Sequence, residues 1–161
     1  MSVRTCEEFT TIDGTSGSSL VLYSIERSQS DGVSLTLQTS PQGEQHFATE
    51  NGTTYLYTQC EDGSWIKQKT SEKSLFDAVI LPLLQALRGR FANAQCGPTD
   101  LYAVGNVDAG SLGVLYDATV RFLNGRLVEI KGFAEPESPA DGEMISIQFE
   151  NYGSTQINLP D

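Results

Sequence analysis

Near the end of the chain, apolar and polar positions alternate on both sides of a turn signal. Ile145, Ile147 and Phe149 are interleaved with Ser146 and Gln148, and Ile157 and Leu159 with Gln156 and Asn158. A period of two marks a strand with one covered face and one wet face. With Asn151-Tyr152-Gly153 as a three-residue loop, Ile147 faces Ile157, Ile145 faces Leu159 and Phe149 faces Thr155. The apolar residues then share one side. The pattern predicts a closing hairpin, ended by Pro160 because proline lacks the N–H that a ladder needs.

The same test applies to VRFLNGRLVEIKG, residues 120–132. A two-residue Asn124-Gly125 turn with unbroken pairing opposes Val120 to Glu129, a mismatch. A three-residue loop, Leu123-Asn124-Gly125, instead opposes Val120 to Val128 and Ala118 to Ile130, with Asp117 against Lys131 on the other side. The expectation is therefore a bulged loop with Gly in the left-handed conformation.

Further turn signals stand at Asp31-Gly32, Pro41-Gln42-Gly43, Asn51-Gly52, Asp62-Gly63 and Asp141-Gly142. The first four come about ten residues apart, the spacing of an antiparallel meander. Between them lie SLVLYSIERS, VSLTLQT, QHFATE, TTYLYTQC and SWIKQK, each short and rich in β-branched or aromatic residues.

One segment breaks the β pattern. Ser74 followed by Asp77 makes a capping-box start, and SLFDAVILPLLQALRG runs to a Gly89 stop with Arg88 and Arg90 near the end where the dipole favours cations. Pro82 is expected to kink this helix or split it in two. From Leu75 to Leu87 only Asp77 and Gln85 are polar. A helix lying on a sheet needs one apolar stripe, so something must cover a second face. The cover is the 90–112 segment, the N-terminal arm or a dimer partner. Alternatively, the helix lines a cavity for an apolar ligand. In that case Phe76, Val79, Ile80, Leu83, Leu84 and Leu87 form one wall, and Tyr23, Phe47, Tyr55, Tyr57 and Trp65 are candidates for the other.

The bulk numbers allow either. A chain of 161 residues is one domain, long enough to bury about two thirds of its unfolded surface. The division expected is an N-terminal arm over 1–17 and a single domain over 18–161. A net charge of −11 repels phosphate backbones and anionic lipids, which argues against nucleic-acid binding. No segment is long enough to span a bilayer, and residues 1–17 lack the basic start and apolar run of a signal peptide.

Cys6, Cys60 and Cys96 have no Cys-x-x-Cys partner, and the one His, His46, is distant from them in sequence. No metal site is expected. In an exported protein one disulfide and one free thiol are expected, with Cys60–Cys96 as the pair because both stand at element ends. Cys6–Cys96 is the rival, and three reduced thiols is the cytosolic alternative.

The order of features resembles the LolA/LolB-like superfamily and its LppX/LprG-type lipoprotein relatives over residues 18–160. The residues concerned are the TTYLY…DGSWIKQ hairpin, the capped apolar helix, the NGRLVEIKGF strand and the closing ISIQFENYGSTQINLP. The resemblance implies an α+β fold that is mostly β. A strongly curved antiparallel sheet, an unclosed barrel, would carry the kinked or split helix on its concave face. It also implies non-enzymatic carriage of a lipid or acyl ligand in the cell envelope, periplasmic or lipid-anchored. Apart from the resemblance, the protein partner expected is a second copy of the chain or an envelope protein. No lipobox precedes Cys6, and the N-terminal region has no long amphipathic helix.

Catalytic chemistry finds little support. His46 lies in a strand between Gln45 and Phe47, and there is no nucleophile elbow, P-loop or dinucleotide fingerprint. DGTSGSS at 13–19 lacks a Lys and a following helix. NVDAG at 106–110 lacks the rest of a calcium loop. No cofactor is expected. The sequence leaves two functions open, carriage of an apolar ligand, or a protein-interaction or structural domain with a sealed core.

Overall fold

The computed structural model of the chain describes residues 2–9, 20–30, 32–40, 42–88, 100–134 and 143–160. The described residues are mostly β and form ten strands: β1 (Ser2–Phe9), β2 (Leu20–Ser30), β3 (Val33–Ser40), β4 (Gly43–Glu50), β5 (Thr53–Gln59), β6 (Trp65–Thr70), β7 (Leu101–Asp108), β8 (Val114–Leu123), β9 (Arg126–Phe133) and β10 (Glu143–Glu150). They form one antiparallel sheet in the order β6-β5-β4-β3-β2-β1-β10-β9-β8-β7. The meander expected from the turn spacing is present on both sides, since tight turns can only join antiparallel neighbours. Among the described residues β6 and β7 are the edges and do not pair with each other, so the barrel is not closed.

The centre of the sheet differs from the sequence reading. Residues 2–9, assigned to an arm, form β1 between β2 and β10. Val3 is in register with Ile25 and Phe149, and Thr5 with Tyr23 and Ile147. This pairing overturns the closing hairpin. β10 spends one edge on β9 and the other on β1, so no ladder is left for residues 155–159, which are irregular. After Glu150 the chain turns at Asn151 (φ +55°), and the Tyr152 hydroxyl donates to the Leu127 carbonyl at 2.6 Å. Tyr152 thus fastens the tail to β9 without adding a strand.

The register of β8 on β9 is also corrected. The turn has two residues, Asn124 and Gly125, at φ +51° and +75°, the conformation that fits the twist of a tight hairpin. Phe122 pairs with Leu127, and then the register shifts so that Arg121 meets Glu129 and Val120 meets Ile130. Val128 is the extra residue. The bulge lies beyond the turn, in β9, and it removes the Val120–Glu129 mismatch that had argued for a longer loop. Asp117 sits at a second irregularity (φ +48°), and Thr119, not Asp117, opposes Lys131.

The helix starts as its residues require. Ser74 Oγ accepts from the Asp77 N–H at 3.2 Å, a side-chain cap of the first turn, and donates to the Asp77 carboxylate at 2.8 Å. Phe76–Ile80 is π-helical and runs into α1, Leu81–Arg88. Pro82 has no N–H for the Ala78 carbonyl and its ring would collide with it. Widening the preceding turn, with Leu81 N–H bonded to Phe76 O, carries the chain past the proline without a break. The helix is one continuous element across Pro82, so the expected split into two does not occur.

The Ala78 carbonyl meets Gly110, in the 3₁₀ turn Gly110–Leu112 between β7 and β8. This turn and β7 supply the cover for the second face of the helix. Two side chains of the sheet, Gln38 and Arg27, tie its first turn down. Gln38 Oε1 accepts from the Leu75 N–H at 2.9 Å. The Arg27 guanidinium lies 4.9 Å from the Phe76 ring centroid, with Nη2 3.4 Å from Asp77 and Nη1 donating to the buried Thr36 hydroxyl at 2.6 Å.

Phe76, Val79, Ile80, Leu83 and Leu87 form one core with Ile25 and with Val107, Leu115, Val120, Ile130, Ile147 and Phe149 of β7–β10. No helix among the described residues is long and apolar enough to cross a membrane.

Candidate functional site

Register decides which side chains can share a site. Pairing that runs unbroken to Ser30–Val33, Ser40–Gly43 and Glu50–Thr53 carries the alternation of β2 through to β5 without a shift. Ile25 opposes Gln38, Gln38 opposes Gln45, and Gln45 opposes Thr58. These residues are on the helix face with Arg27 and Thr36. Tyr55, Tyr57 and Trp65 have the other parity, in rows with Ala48 and Lys69, His46 and Lys67, and Gln59. The structure therefore gathers Phe76, Val79, Ile80, Leu83, Leu84 and Leu87 on one side of the sheet and Tyr55, Tyr57 and Trp65 on the other. The two sets do not line one cavity. The parity was countable from Asp31-Gly32, Pro41-Gln42 and Asn51-Gly52, once each was taken as a two-residue turn.

On the helix side, Ile80 and Leu83 are 0 % exposed, and Phe76, Val79 and Leu87 are buried with them. Leu84 is half-buried and packs against the same core. Of the other proposed wall residues, Tyr23 is half-buried against this core and Phe47 is buried on the helix face.

On the opposite face, Tyr57 and Ala48 are buried, and Tyr55 and Trp65 are half-buried. The Lys67 ammonium lies 4.5 Å from the Tyr55 ring centroid and 5.3 Å from that of Tyr57. Its pKa is raised, chiefly by a hydrogen bond with the Tyr57 side chain. Trp65 stands edge-on to His46 at 4.8 Å between centroids. His46 Nε2 bonds Glu44 Oε1 at 2.5 Å, and Nδ1 is buried with no hydrogen-bond partner among the described residues.

The loop that delivers Trp65 is fixed by its own bonds. Cys60 N–H donates to Ser64 O at 2.8 Å and Gly63 N–H to Cys60 O at 2.9 Å. Asp62 accepts from the Ser64 hydroxyl and N–H at 2.6 and 2.9 Å, which hold its carboxyl below the ordinary value. Beside this loop is an open polar groove of about 420 Å³, lined among others by Glu44, Gln59, Cys60 and Glu61.

Cys60, offered above as half of a disulfide, carries a free thiol, and Cys96 lies outside the described residues. Among the described residues no group of three His, Cys, Asp or Glu side chains could hold a metal ion. The sequence reading passed over Lys67 and Lys69. Their signal was present, because three of the chain's four lysines, Lys67, Lys69 and Lys73, fall within seven residues of an acidic chain.

Comparison with known proteins finds no protein-family model that matches the chain and no curated protein that matches it in sequence.

Proposed function

We propose that the chain is a non-catalytic interaction or structural module whose apolar helix is core, not the wall of a ligand cavity. The observation that carries this reading is the complete burial of Ile80 and Leu83 at the centre of the helix. A side chain bordering an empty cavity of several hundred Å³, roughly the size an acyl ligand needs, keeps surface that an occupant could touch. These two keep none. The aromatic residues that would complete such a cavity are on the other side of the sheet. Function then resides on the surface, where β6 presents aromatic and cationic side chains.

Carriage of a lipid or acyl ligand is the second reading. The unclosed antiparallel sheet with one helix against it, in the chain order that the resemblance implies, favours it. On that reading the sheet is strongly curved, the helix occupies its concave side, and the protein belongs to the cell envelope. Native mass spectrometry of protein from its own host separates the two. The sealed core gives the mass of the chain alone, and a co-purified acyl adduct overturns it.

A further inference from the structure

We infer that the free edge of β6 accepts an extended acidic peptide strand from a partner protein. The inference rests on the module reading and names its surface and partner. Among the described residues β6 pairs on one side only, with β5, in unbroken register from Thr54–Thr70 to Gln59–Trp65. Its other edge presents the row of N–H and C=O groups that an added strand uses. The far edge of the sheet is a poor alternative, because β7 is interrupted by register shifts around Gly105.

Charge selects the partner. Lys67 and Lys69 project from the same face of β6, Lys73 follows three residues beyond its end, and Glu72 is the one acid from 65 to 73, in a chain of net charge −11. Lysines on an edge strand ordinarily repel unwanted pairing. The same lysines attract a strand whose acidic residues fall opposite them, at alternate positions. Ile66, 45 % exposed on the opposite face of β6, offers an apolar contact to the residues in between. A second copy fits poorly, because the longest antiparallel self-pairings, centred on Lys67 or on Gln68, oppose lysine to lysine.

The test is fluorescence anisotropy of a labelled eight-residue peptide of alternating Glu and Val at low salt. Saturable binding is expected, weakened at least tenfold in Lys67→Glu/Lys69→Glu. That variant should instead bind the Lys/Val counterpart. Lys69→Glu alone leaves the Lys67–tyrosine contacts in place and should cost about threefold. Melting curves of both variants establish that they fold. N-methylation of alternate peptide amides should abolish binding, since it removes the ladder and keeps the charge. Absence of saturable binding overturns the inference. So does equal binding by the charge-reversed variant or by the N-methylated peptide, or binding to phosphatidylglycerol vesicles without binding to peptide. An acyl adduct in the mass measurement would end the sealed-core reading and leave this titration unaffected, so the two failures are distinguishable.

Discussion

Gly110 sits so close to Ala78 that a Cβ added to it would lie 2.1 Å from the Ala78 carbonyl oxygen and 3.0 Å from Pro82 Cγ. That carbonyl is the one Pro82 cannot serve with an N–H. The widening of the helix and the glycine against it are parts of one arrangement. Gly110 also has φ +61°, which a side chain disfavours.

Gly110→Ala is therefore expected to destabilise the fold by about 3 kcal/mol or more, combining the cost of positive φ with that of overpacking. Gly63→Ala is the control. Its φ is +84° but a Cβ there meets nothing within 4 Å, so only the conformational part, about 1 kcal/mol, should appear. Chemical denaturation of the two variants makes the comparison, and equal losses would show that the contact with Ala78 contributes nothing.

Ser74→Ala removes the acceptor for the Asp77 N–H and the donor to the Asp77 carboxylate. Ser74 is 1 % exposed, so water cannot readily replace it. The loss should be about 1 kcal/mol, with Ser74→Thr recovering part of it. Thermal melts of the two variants check the order.

Tyr152 gives a pH dependence. Its pKa is raised by burial, against the lowering effect of Arg126, and the neutral hydroxyl is the form that donates to Leu127 O. A group whose folded pKa exceeds its unfolded value contributes stability below the unfolded value, about 10, and loses it as pH rises through the folded one. Tyr152→Phe should cost about 1 kcal/mol at pH 8, and the gap to the parent should shrink above pH about 10. Denaturant midpoints across that range test it, and a gap independent of pH contradicts it.

What was legible in the sequence was local. The turns at Asn51-Gly52, Asp62-Gly63 and Asn124-Gly125, strands β2–β6 and the Ser74–Asp77 cap depend on residues a few positions apart, and the structure has them. The misreadings depended on distant partners. Nothing near Ile147 announces that β10 will pair with β1, so the tail at 155–159 was the nearest available ladder. Val128 became a bulge because Val120 and Ile130 pack against the core, a tertiary demand invisible to hairpin arithmetic. The aromatic set was misplaced for another reason. The parity that puts Tyr57 opposite His46, away from Ile25, was countable, but composition alone grouped it with the helix.

The most direct test of the sealed core is Leu83→Trp, followed by thermal melting and by titration with a fluorescent acyl probe. Leu83 has no exposed surface, so the larger ring must displace packed atoms. The expected result is a loss of about 1–3 kcal/mol in a protein whose parent shows no saturable probe binding. Saturable binding by the parent, lost in Leu83→Trp at an unchanged melting temperature, would contradict the sealed core and establish a cavity beside the helix.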